Sequence, residues 1–140
     1  MDLEFYIENC IIPQYAAFDD AHNIEHVTRV IDVSLQLAEE YGVNPIMCYV
    51  IAAYHDIGLP QGRETHHLTS AQILRDDKIL RNWCSETNIN IMAEAIEDAF
   101  RYDKVILAAA SYNAGVFPPM EQFLHHLKGK NYQKRKIGLI

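Results

Sequence analysis

Apolar residues recur three and four positions apart along most of the chain, and stretches that alternate apolar with polar between turn residues are absent. Such a backbone has helices to build with. Ile24, Val27, Val30, Ile31, Val33, Leu35, Leu37 and Ala38 cover one broad side of a segment from about 20 to 41, and Gly42 closes it in the position that favours a left-handed residue. Asn44 followed by Pro45 reads as a cap and first helical residue, and IMCYVIAAYHDIG is then apolar on nearly all faces, as a central buried helix should be. That helix should stop at Gly58 and Pro60. Thr65 is the expected cap of a helix through HHLTSAQILRDDKILRNW. A fourth helix is expected from near Asn88 or Asn90, continuing through AEAIEDAFRYDKVILAAASYNAG with or without a break near Tyr102, and ended by Gly115. Pro118 and Pro119 open a short helix, MEQFLHHL. The pattern predicts an all-α bundle of five to seven helices.

With 140 residues and 49% of them hydrophobic, one compact domain is expected over residues 1–127, followed by a basic tail at 128–140. A chain of this length buries roughly two-thirds of the surface of its unfolded form, so it needs neither disulfides nor metal merely to fold. Any metal is there for chemistry. The net charge of −7 is uneven: Lys128, Lys130, Lys134, Arg135 and Lys136 sit together, which leaves −12 on the remainder. An acidic body repels nucleic-acid backbones, anionic membranes and polyanionic substrates, so nucleic acid is disfavoured as a partner. No apolar run approaches the roughly 18 residues of a membrane span, and MDLEFYIENC is acidic rather than basic, so a cytoplasmic location is expected. Cys10, Cys48 and Cys84 form no CxxC pair and read as small buried hydrophobes.

Seven histidines is a high count for 140 residues, and five of them precede residue 68. His22 and His26 are four apart on one helix face, His55 and Asp56 adjoin at the end of the most apolar helix, and His66 and His67 start the next. An imidazole or carboxylate in such a place is costly to desolvate unless something pairs with it, and a divalent ion does so efficiently. Imidazole plus carboxylate suits manganese, iron, cobalt, nickel or zinc, magnesium being the candidate where carboxylate and water dominate, and spacing alone does not choose among them.

DDAHNIEHVTRVIDVSLQLAEEYG (19–42), AAYHDIGLPQGRETHHLTSAQIL (52–74) and the 29 residues between His26 and His55 resemble the HD-domain metal-dependent phosphohydrolases. The likeness is good over residues 19–81 and poor elsewhere. It implies a helical bundle in which His26 is the first metal ligand, His55 and Asp56 are the doublet, and a distant aspartate closes the set. That last ligand departs from the family pattern. Matching AIED puts Ala99 where a histidine is expected, with the last ligand missing; matching DAFRYD aligns Asp98, Arg101 and Asp103 but puts Phe100 at the metal aspartate. Asp98 and Asp103 are the nearby substitutes, and at about 100° per residue they point apart on a regular helix, so at most one can face the ion. His66, in a context like that of two-metal relatives, either replaces the missing ligand, binds a second ion, or is an exposed helix-start residue. His22 would orient a substrate or steady a ligand; His125 and His126 are expected at the surface.

The resemblance implies hydrolysis of a phosphomonoester or phosphodiester on a nucleotide or another small phosphorylated metabolite. Arg63 is the expected phosphate-neutralising residue and Glu64 the expected proton acceptor; Arg29 serves either the phosphate or an ion pair with Glu25 or Asp32. Tyr49, Tyr54, Tyr102 and Tyr112 line a base-stacking pocket or simply pack the core. The alternative to an enzyme is a degenerate HD domain that binds metal or nucleotide without turnover, and a third reading is a helical interaction domain with structural histidines. P-loop and acyl-transfer motifs are absent. Oligomeric state, a homo-oligomer included, stays open.

Overall fold

The computed structural model describes residues 1–101 together with 104–107, 111–112, 115–116 and 136–139, with side chains from Ala99 onward left out of the description. The chain forms two compact units, Met1–Arg101 and Tyr102–Ile140.

The first unit is helical throughout: α1 (Leu3–Tyr6), α2 (Ile24–Tyr41), α3 (Pro45–Tyr54), α4 (His66–Asp76) and α5 (Glu86–Arg101, the last helix). Between α1 and α2 the chain continues as one wide turn, Ile7–Ile11, and a tight 3₁₀ stretch, Ile12–Ala17, which the sequence reading left unassigned. Punctuation at the helix ends works as read. The Asn23 side chain accepts from the His26 N–H, Gly42 takes φ +65° after α2, and Asn44 caps Ile46 and Met47 with Pro45 at the first helical position.

Three boundaries differ. The helix expected to run to Gly58 and Pro60 ends at Tyr54, and a turn carries His55 and Asp56. The helix expected through Trp83 stops at Asp76, because the Asp77 carboxylate turns to accept from the N–H groups of Ile79 and Leu80 at 2.8 and 3.3 Å and starts a separate 3₁₀ turn, Leu80–Asn82. The next helix begins earlier than Asn88, since Ser85 Oγ accepts from the Asn88 N–H at 3.2 Å. Thr65 stands at the cap of α4 without its side chain capping it.

Val27 and Ile31 of α2, Val50, Ala53 and Tyr54 of α3, Leu74 of α4, and Ile89, Met92 and Ile96 of α5 meet in one core, joined from the N-terminus by Ile7, Ile11 and Tyr15. Each large apolar side chain so buried contributes roughly 1.5–3 kcal/mol. The polar atoms that enter are paired. The hydroxyls of Tyr6 and Tyr54 each donate to Asp77 Oδ2 at 2.6 Å, and burial, followed by that carboxylate, pushes both phenols above their ordinary range. Tyr54 is thus core. Cys84 is buried as expected, whereas Cys48 is half-buried and Cys10 is exposed, contrary to the reading of all three as interior residues.

In the second unit, β1 (Lys104–Leu107) pairs in parallel with β4 (Lys136–Leu139), Val105 opposite Ile137, and β2 (Ser111–Tyr112) pairs antiparallel with β3 (Gly115–Val116). The expected helical continuation past Tyr102 is therefore corrected: the β-branched Val105 and Ile106 find a ladder partner, and Gly115 opens a strand rather than ending a helix. The short helix expected at MEQFLHHL, with His125 and His126, lies outside the described residues.

Candidate metal centre

His26 occupies the first turn of α2, held there by the Asn23 cap, while His55 and Asp56 follow the last turn of α3. Val27 and Ile31 bury one side of α2 against α3 and so bring the two ends together. The result is a convergence of three donor atoms. His26 Nε2 stands 3.2 Å from His55 Nε2 and 3.3 Å from Asp56 Oδ2, and His55 Nε2 is 2.9 Å from that oxygen. Ligand atoms about 2.1 Å from one cation and at right angles across it lie about 3 Å apart, so the spacing fits one first-row or similar divalent ion.

The hydrogen-bond directions point the same way. His55 Nδ1 donates to the Ala52 carbonyl at 2.7 Å, and His66 Nδ1, at the start of α4, donates to the Arg63 carbonyl at 2.6 Å. A carbonyl only accepts, so each Nδ1 carries a proton, and in that tautomer the neutral form of the ring turns an Nε2 lone pair outward. Both lone pairs face the Asp56 carboxylate, His55 towards Oδ2 and His66 towards Oδ1 at 3.2 Å. Lone pairs opposed at that range repel unless a cation lies among them, and backbone carbonyls behind the rings are the usual support of metal-ligating histidines.

Electrostatics agree with this. Burial pushes the Asp56 carboxyl up, but the surrounding imidazoles of His55, His66 and His22 outweigh it, so the group stays below the usual carboxylate range. Burial, followed by the neighbouring His55, lowers His26 and keeps it neutral, as a ligand must be. Asp56 is 5% exposed at its side chain and His26 33%, so the centre opens on the α2 side.

Two supports behind the doublet were missed by sequence reading. Tyr15, fully buried, donates its hydroxyl to the Ala53 carbonyl at 2.8 Å and accepts from the Asp56 N–H at 3.3 Å, tying the N-terminal stretch to the doublet. Its advance signal is an aromatic, three residues ahead of Phe18, in an unassigned segment. Gly58 packs against α4: an added Cβ there would meet Ser70 N at 2.7 Å and His66 O at 2.8 Å, while the Gly58 N–H donates to the buried Ser70 Oγ at 2.9 Å. Glycine after the doublet is thus a packing requirement that sets His66 against Asp56.

The remaining candidates are dispersed. Arg29 pairs with Glu25 at 2.9 Å on an exposed helix face. Arg63 and Glu64 are exposed in the loop before α4, and Arg63 pairs with Asp19. His22 holds Asp19 at 2.7 Å, and His67 is half-buried. Asp98 is exposed on α5 and is not among the converging donors; Asp103 and the side chains of Ala99 and Phe100 lie outside the described residues, as does Tyr102. Among the described residues no helix is long and apolar enough to cross a membrane.

The model of the family described as "HD domain" matches residues 23–132, most of the chain. None of the curated proteins and none of the solved structures compared with the chain matches it.

Proposed function

The chain belongs to the HD-domain family, an all-α fold whose members bind divalent metals, and from that premise we propose that it is a metal-dependent phosphohydrolase acting on a nucleotide or another small phosphorylated metabolite. The observation that carries the proposal is the convergence of His26, His55 and Asp56 with their lone pairs on one point. These three would hold the ion, with His66 Nε2 against the second oxygen of Asp56 beside them. When bound, a divalent cation eases the ionisation of water and stabilises charge on phosphoryl oxygens.

The chain's own residues supply the rest. Asp56, buried and negatively charged, stands within 3.3 Å of the Nε2 atoms of three imidazoles at once. Arg63, with its guanidinium largely in solvent, would neutralise an incoming phosphate, and Glu64 beside it would accept a proton from water or a leaving hydroxyl. Three free cysteines suit a reducing compartment, and we place the protein in the cytoplasm.

Elemental analysis followed by a screen of phosphatase and phosphodiesterase substrates with Mn²⁺, Ni²⁺ or Co²⁺ tests the reading: stoichiometric metal with turnover supports it. Metal binding without turnover would instead support a degenerate HD domain, a reading favoured by the exposed position of Asp98 away from the donor cluster.

A further inference from the structure

Asp19, in the turn ahead of α2, has no part in the donor cluster, yet it is bonded to two groups beside it. Its Oδ1 accepts from His22 Nδ1 at 2.7 Å, and its Oδ2 pairs with the guanidinium of Arg63, 44 residues further on. The His22 ring stands edge-on to His26 at 5.7 Å between centroids. The Arg63 backbone carbonyl meanwhile holds His66 Nδ1. One carboxylate therefore fastens an imidazole from the α2 side and a guanidinium from the loop before α4, each attached to a residue of the metal centre.

We infer that Asp19 is a positioning residue that sets His22 and Arg63 as a paired recognition element for a phosphate ester at the open side of the centre, an inference that rests on the phosphohydrolase reading. Holding the proton on Nδ1 leaves His22 Nε2 as an acceptor for a hydroxyl, whether of water or of the ester's alcohol part. Arg63 has five N–H donors, spends few of them on Asp19, and is 66% exposed at its side chain, so its fork remains open to phosphate oxygens. An ion pair as exposed as Asp19 with Arg63 stabilises a fold little, so ordering the two recognition groups is the larger effect of Asp19.

The test uses the full chain loaded with Zn²⁺, long-range proton–nitrogen NMR of the histidine rings, and calorimetric titration with inorganic phosphate. We expect His22 to hold its proton on Nδ1 in the wild type and to become a tautomer mixture in Asp19→Ala. Phosphate should bind Asp19→Ala roughly three- to tenfold more weakly, Arg63→Ala at least as weakly, and Asp19→Glu with part of the loss restored, all at unchanged metal content. An unchanged His22 tautomer and unchanged phosphate affinity in Asp19→Ala, with wild type binding metal and phosphate normally, would overturn the inference alone. A wild type that takes up neither metal nor phosphate would overturn the hydrolase reading and this inference together.

Discussion

Asp56 is where the molecule concentrates its chemistry: one carboxylate, almost wholly out of solvent, receives His26 and His55 on one oxygen and His66 on the other. Removing a donor from such a group removes the ion. His55→Ala and Asp56→Ala should each lose metal on dialysis while the wild type retains it, as elemental analysis would show; full metal content in both variants would mean the ligands are elsewhere. The support behind the doublet should register more gently. Tyr15→Phe leaves the Ala53 carbonyl and Asp56 N–H without the hydroxyl between them, which should cost about 1–3 kcal/mol of stability in denaturant melts and weaken metal binding by at least about tenfold.

Helix ends, more than helix bodies, place the site. The Asn23 cap fixes the first turn of α2 and so His26, and the close approach of Gly58 to α4 fixes His66. Two glycine substitutions should separate the two uses of that residue. Gly58→Ala, forced against backbone atoms 2.7 and 2.8 Å away, should lower stability by about 1–3 kcal/mol and disturb metal affinity too. Gly42→Ala, at φ +65° with nothing within 4 Å, should cost only the left-handed penalty of about 1 kcal/mol and leave metal binding alone. Equal effects on metal binding would contradict this division. Caps and C-terminal glycines were readable in the chain because their chemistry is local, and so was the presence of α2, α3 and α4. The stop at Asp76 was not, because it depends on which way the Asp77 side chain turns, and that is set by Tyr6 and Tyr54 from elsewhere in the fold. Lys104–Leu107 was misread as helix since so short a segment has no period of its own and takes its form from its partner, Lys136–Leu139.

Across the whole molecule, the helical unit Met1–Arg101 carries every donor in the cluster, so metal and fold should be linked. A chelator should lower the melting temperature, and added Mn²⁺ or Zn²⁺ should raise it in proportion to the logarithm of its concentration; Asp56→Ala should show neither shift. The HD doublet was legible because its residues adjoin in sequence, and His26 because its spacing to them resembles a known pattern. The pairing of His66 with the far oxygen of Asp56, and of Asp19 with Arg63, arises only when α4 docks, and no spacing announces it. The most direct measurement is anomalous diffraction at the absorption edge of the bound metal in crystals of the full chain. A single strong peak within ligand distance of His26 Nε2, His55 Nε2 and an oxygen of Asp56 is the expected result. A density map with those three side chains hydrogen-bonded to one another and no peak between them, from protein saturated with metal, would contradict it.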